Sequence, residues 1–179
     1  MGKQTLATIA ANQQILFHAA QALKTTPGDL EAKIEQQLNE MKEMRQALEK
    51  FKAEASLGEA RQFLTAAKAV GELKVLTAHR DGMDANALRQ MGDFLRDKEP
   101  AVVAVLASVN NGKITFLAVC GKEAVAKGIK AGDLVKNVCG ICGGKGGGKP
   151  DSAMGGGSDL LKLDDALASV DDFVASKLG

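Results

Sequence analysis

Between Gly143 and Gly157 the chain reads Gly-Gly-Lys-Gly-Gly-Gly-Lys-Pro-Asp-Ser-Ala-Met-Gly-Gly-Gly, a stretch that holds eight of its twenty glycines. Glycine loses more conformational freedom on folding than any other residue, so ordering such a run is costly. The run is therefore either a flexible tether or a segment whose backbone turns tightly and comes close to something. Pro150, Ala153 and Met154 interrupt it with stiff or buriable residues, which a free linker does not need. A compact loop is the expectation.

Gly143 to Lys149 also fits the phosphate-loop spacing of Gly, four residues, Gly-Lys. Position 150 is proline, where such a loop needs a hydroxyl to hold Mg²⁺. The preceding segment, Leu134–Cys142, has helical rather than strand-like spacing, and no downstream segment offers an obvious metal-binding Asp. Nucleotide hydrolysis is set aside on these grounds. A weaker claim survives: consecutive glycine N–H groups can form a concave anion nest, with Lys145 and Lys149 supplying charge. The competing reading is a structural loop whose lysines are merely solvated.

Charge is local rather than global. The formal net charge is +1, yet residues 120–150 carry six lysines against Glu123 and Asp133. Residues 151–179 reverse this, with six aspartates against Lys162 and Lys177. The glycine run thus closes the one basic segment, so any nucleic-acid surface must be a patch. With no Trp, no Tyr and six Phe, the chain is ill suited to stacking single-stranded bases on aromatic side chains.

No apolar run approaches the ~20 residues needed to span a bilayer, and no signal-peptide pattern opens the chain. Three cysteines, an odd number, do not suggest a disulfide framework, which favours a reduced, cytoplasmic setting. Cys139-Gly140-Ile141-Cys142 is a lone Cys-x-x-Cys. Zinc needs four ligands, and Cys120, His18 and His79 are the only other candidates of those types. The simpler reading is two cysteines filling small positions on a helix. No nucleophile–base pair and no pair of catalytic carboxylates stands out.

Upstream, Leu6, Ile9, Gln13, Leu16, Ala20 and Leu23 give helical spacing over 5–24. Thr25–Asp29 stops and restarts the chain, with Thr26 as N-cap and Pro27 at the first helical position. Leu30, Ile34, Leu38, Met41, Met44, Leu48, Phe51 and Ala55 continue the stripe on a charged rod. That pattern suits a helical hairpin or a coiled coil, within one chain or between two. Ser56 and Glu59 read as a capping box that opens a shorter helix over 57–69. Residues 1–69 are therefore expected to form a helical arm.

After Gly71 the texture changes. Leu73–Ala78, Ala101–Val109 and Lys113–Cys120 read as strands, with Asn110-Asn111-Gly112 as the hairpin turn between the last two. Asp84 caps a helix carrying Leu88, Met91 and Leu95, which stops before Pro100. Helices follow over 122–129, 131–142 and 159–178, the last capped by Ser158. Residues 70–179 read as a small β-sheet covered by helices, and the chain as α+β.

The glycine run, with Ala131-Gly132-Asp133-Leu134-Val135 upstream of it, resembles the C-terminal, DHH-associated domain of bacterial alanyl-tRNA synthetases. Asp81-Gly82-Met83-Asp84, Ser108-Val109-Asn110-Asn111-Gly112-Lys113 and the closing Leu163–Val170 fit the same family, over about residues 70–174. Departures are small: Lys149 stands where Arg is common, which gives up bidentate phosphate geometry, and Ser152 and Met154 differ from the usual loop residues.

The resemblance implies a non-catalytic accessory domain that binds tRNA(Ala) at the outer corner of its L shape. In some members the domain also dimerises. It further implies upstream aminoacylation and editing modules as partners; ATP, Mg and Zn, if used, belong to those modules and not to this chain. On this view Met1-Gly2, at the head of an already helical pattern, is an artificial or truncated start. The expected RNA-binding residues are Gly143, Gly144, Lys145, Gly146, Gly147, Gly148 and Lys149, with Lys122, Lys127, Lys130 and Lys136 extending the surface. Recognition of a folded RNA corner uses phosphate, 2′-hydroxyl and shape, and needs no aromatic platform. Two other readings stay open: a purely structural, oligomerising module, and the nucleic-acid-binding arm of a DHH-type phosphoesterase.

Overall fold

The structure, a computed structural model, describes residues 2–179; Met1, and with it half of the expected artificial start, lies outside them. Two compact units divide at Lys52 and Ala53. In the first, α1 (Gly2–Ala22) leads through a single 3-10 turn at Pro27–Asp29 into α2 (Leu30–Ala66). Pro27 opens that turn as expected, but Thr26 does not cap a helix amide; its hydroxyl donates to Asp29 Oδ2 at 2.7 Å. Ala20 and Leu30 are buried beside the connection, whereas Ile34, Leu38, Met41, Met44, Leu48 and Phe51 stay exposed along α2.

The expected break at Ser56–Glu59 is absent, because α2 runs through it to Ala66. An exposed glycine such as Gly58 costs a helix only about 1 kcal/mol relative to alanine. The turns that follow more than offset this: Ala60 is fully buried, and Phe63 and Leu64 pack against the same cluster. The last turns of α2 therefore fold with the second unit, and residues 68 and 69, expected to end a helix, form a strand with Val70.

Six strands make one sheet in the second unit: β1 (Lys68–Val70), β2 (Leu73–Asp81), β3 (Val102–Asn110), β4 (Lys113–Cys120), β5 (Lys145–Gly148) and β6 (Ser152–Gly157). Their order is β1-β2-β3-β4-β6-β5. Only β2 and β3 are parallel, joined by the crossover helix α3 (Ala85–Lys98). Asp84 caps α3 by accepting the Ala87 N–H at 2.7 Å. The β3–β4 turn places Asn111 and Gly112 at φ of 49° and 75°, the left-handed pair that Asn-Gly tolerates.

Side chains alternate across the sheet, and each face has its own cover. Val103, Val105, Phe116 and Ala118 point into a cluster with Leu134, Val135 and Val138 of α5 (Ala131–Ile141) and Val170 and Val174 of α6 (Leu163–Leu178). Ala104, Leu106, Leu117 and Val119 point the other way, against Leu88, Met91 and Leu95 of α3 and Ala60 of α2. A short helix, α4 (Lys122–Ala126), links β4 to α5. The cap before α6 is Asp159 rather than Ser158: its carboxylate accepts the Leu161 N–H at 3.2 Å, and a 3-10 turn over Leu160–Lys162 precedes the helix.

Candidate nucleic-acid interface

The glycine run is not a loop. It forms the β5–β6 hairpin at one edge of the sheet, with Lys149–Asp151 as its tip and the Lys149 N–H donating to Ser152 O at 2.9 Å. Glycines are required where α5 presses on the hairpin. A Cβ on Gly146 would lie 2.3 Å from Val135 Cγ1 and 2.7 Å from Gly155 Cα; one on Gly155 would lie 2.6 Å from Cys139 Sγ. The buried Cys139 and Cys142 of the Cys-x-x-Cys pair lie beneath this backbone. Burial and the neighbouring Cys142 push the Cys139 thiol up to about 11, which suits a small core side chain rather than a nucleophile or ligand.

An extended strand alternates its amides, so the expected concave nest does not form. Gly143 (φ 67°) and Gly144 use their N–H groups to close α5, on Gly140 O and Cys139 O. In β5, Lys145 and Gly147 lie opposite Gly156 and Met154. The ladder set by Lys149 and Ser152 leaves the amides of Gly146 and Gly148 on the free edge.

The hairpin's second face is open along β5. A Cβ on Gly147 would meet nothing within 4 Å. On that face Lys145 shares a position with Gly156 and, across the next ladder, Thr115 of β4. An open groove of about 420 Å³ follows, lined by Lys113, Thr115 and the backbone of Gly143, Gly144, Gly156 and Gly157. Met154 borders the same face, and Arg89 of α3 donates to its sulfur at 3.1 Å. The result is a flat, side-chain-poor backbone surface edged by Lys113, Lys145 and Arg89.

The expected lysines separate into groups. Lys145 and Lys149 are both exposed on the hairpin. Lys122 and Lys130 come near its tip, because Cys120 N–H donates to Asp151 O at 3.0 Å and Ala131 N–H to Pro150 O at 2.8 Å. Lys127 instead pairs with Glu72, holding that carboxyl below its ordinary value through the hydrogen bond and the charge. Lys136 is exposed on α5, the helix that covers the opposite face. Arg89 and Lys113 are absent from the expected set. Lys113 had a signal, since it shares strand parity with Thr115 after the Asn-Gly turn; Arg89 had none, because only the tertiary fold brings α3 to Met154. Among the described residues no group of three or more His, Cys, Asp or Glu side chains converges as a metal site, and no helix is long and apolar enough to cross a membrane.

The family model described as the DHHA1 domain matches residues 72–176. This chain belongs to the DHHA1 domain family. The match spans β2 to β6 with α3, α4, α5 and most of α6, and leaves out α2 and the edge strand β1. Among curated relatives, the alanine–tRNA ligase of Thiobacillus denitrificans is 41% identical over 177 residues, covering 99% of this chain and 20% of the ligase. The alanine–tRNA ligase of Saccharophagus degradans is 39% identical over 178 residues, with the same coverage of 99% and 20%. The chain therefore spans about a fifth of the length of the relatives it matches. Among solved structures, the C-Ala domain from Aquifex aeolicus alanyl-tRNA synthetase aligns with a TM-score of 0.57 and 26% identity, over 61% of this chain and 97% of that one. The resemblance to synthetase C-terminal domains and the α+β expectation are both met. Within the matched residues the glycine run forms the β5–β6 hairpin.

Proposed function

We propose that this chain is the C-terminal accessory part of an alanine–tRNA ligase and binds tRNA(Ala) through its globular unit. The observation that carries the reading is the alignment of 99% of the chain with one fifth of such ligases. In this reading the chain performs no reaction of its own and works in the cytoplasm. Alanine activation, transfer and editing, with any ATP, Mg or Zn they use, belong to other modules of the same enzyme. The open face of the β5–β6 hairpin lies against RNA backbone, with Lys145, Lys113, Lys149 and Arg89 at phosphates and the glycines allowing close approach. Lys122 and Lys130 extend the contact around the hairpin tip. A surface of this kind reads shape and charge rather than base edges.

A titration of tRNA with the full chain, followed by fluorescence anisotropy at several salt concentrations, tests this. The expected result is an affinity that falls steeply with salt, by about 0.7–0.9 in log K per log unit of salt for each phosphate contact. Affinity indifferent to salt, or equal affinity for an unstructured oligonucleotide of the same length, would contradict it.

A second reading concerns the arm. The exposed Leu38, Met41, Leu48 and Phe51 on one stripe of α2 favour a second copy of the chain as their cover, in a coiled-coil dimer. Sedimentation equilibrium is expected to give a dimer that Leu48→Glu dissociates; a monomer at high protein concentration would contradict it.

A further inference from the structure

A second cavity, separate from the open face of the hairpin, has a volume of about 650 Å³, within the range of small-molecule sites. It lies where the end of α3, the start of α4 and the hairpin tip meet. Pro100, Cys120 and Val125 give it an apolar lining. Arg96, Asp97 and Asp151 bring one cation and two carboxylates. Arg96 is already committed: its guanidinium is held by Asp151 at 3.0 Å and Asp93 at 3.1 Å, with Asp97 at 4.0 Å.

The remaining charges are not matched to each other. Lys122 also lines the cavity and forms no ion pair among the described residues. Asp97 is largely exposed and only loosely engaged by Arg96. Cys120 adds no charge, since burial and then the Asp151 carboxylate push its thiol up to about 12. The cavity thus combines a free ammonium, an under-used carboxylate and a neutral apolar lining.

We infer that this cavity binds a small zwitterion of the α-amino-acid class, its carboxylate at Lys122, its ammonium at Asp97 and its aliphatic side chain against Val125 and Pro100. A lone anion would satisfy Lys122 but leave its other end beside two carboxylates. A lone cation would meet Lys122. Only a molecule carrying both charges on a short aliphatic frame satisfies both ends, and the site is tested in the RNA-free chain, because Lys122 also borders the proposed RNA contact.

The experiment is a ¹⁵N–¹H NMR titration of the full chain with L-valine, valinamide and isovalerate, the last two lacking one charge each. L-valine is expected to shift the amides of Lys122 and Val125 saturably in the millimolar range, at least tenfold more tightly than either analogue. Lys122→Gln and Asp97→Asn, both at exposed side chains, are expected to weaken L-valine at least fivefold with the remaining spectrum preserved. Lys136→Gln is expected to change nothing. No saturable shift at these amides, equal affinity for isovalerate or valinamide, or binding unaffected by both variants would overturn the inference.

Discussion

The Arg96 guanidinium holds the Asp151 carboxylate at 3.0 Å, tying the end of α3 to the tip of the glycine hairpin. Two backbone bonds fasten the same tip, from Cys120 N–H to Asp151 O and from Ala131 N–H to Pro150 O. The hairpin is thereby pinned to a helix or strand on each side, although its own strands carry few side chains to pack. Asp151→Asn is expected to cost about 1 kcal/mol, as partly exposed ion pairs do, and so to lower Tm by roughly 2–4 °C for a chain of this size. A calorimetric melt checks this. An unchanged Tm would mean that the backbone bonds alone hold the tip.

Two neighbouring glycines should behave in opposite ways. Gly146→Ala drives a Cβ to 2.3 Å from Val135 Cγ1 and 2.7 Å from the Gly155 backbone, an overpacking expected to cost about 1–3 kcal/mol or more. Gly147→Ala meets nothing within 4 Å and is expected to stay within about 0.5 kcal/mol of the parent. Urea denaturation of the pair gives the comparison directly.

The continuity of α2 has its own test. Gly58 lies in a helix interior with open space at its Cβ position, so Gly58→Ala is expected to stabilise by about 0.5–1 kcal/mol. Ala60, fully buried two residues on, should not accept charge. Ala60→Asp buries an unpaired carboxylate and is expected to cost well over 2 kcal/mol. A helix that really broke at Ser56–Glu59 would show no gain at Gly58 in a thermal melt.

The three thiols make a pH prediction. Cys120 and Cys139 sit at about 12 and about 11 in the folded chain against an ordinary 9.0, chiefly because burial disfavours the thiolate, and Cys142 moves in the same direction. A raised folded-state value means that the unfolded chain releases its protons first. Stability is therefore intact below pH 9 and declines as pH rises from there towards 12. In the native protein at pH 8 a thiol reagent should label these cysteines far more slowly than it labels the urea-unfolded chain. Rapid native labelling would contradict their burial.

Much of the fold was legible because local chemistry and tertiary packing agree. Asn111-Gly112 dictates its turn, Asp84 its cap, and the unbroken apolar run of β3 a strand buried on both faces. The glycine hairpin was not legible as strands. Glycine has among the poorest strand propensities, and what makes these residues extended is the fit of Gly146 and Gly155 under Val135 and Cys139, a contact made only when α5 lies across them. The same holds for α2, where Ser56 and Gly58 give an honest local stop signal that the burial of Ala60 overrides. In the candidate interface, charge composition singles out a basic segment, and strand parity and the Glu72 partner decide which of its lysines face which way.

The central claim is that the open hairpin face meets tRNA. Its most direct test is the salt dependence of tRNA binding by Lys145→Gln and Lys113→Gln, set beside Lys136→Gln on the helix that covers the other face. Each of the first two should weaken binding and make the log K against log salt slope shallower by about one phosphate contact, while Lys136→Gln leaves affinity and slope unchanged. Equal losses from all three, or a loss from Lys136→Gln alone, would contradict the assignment of that face to RNA.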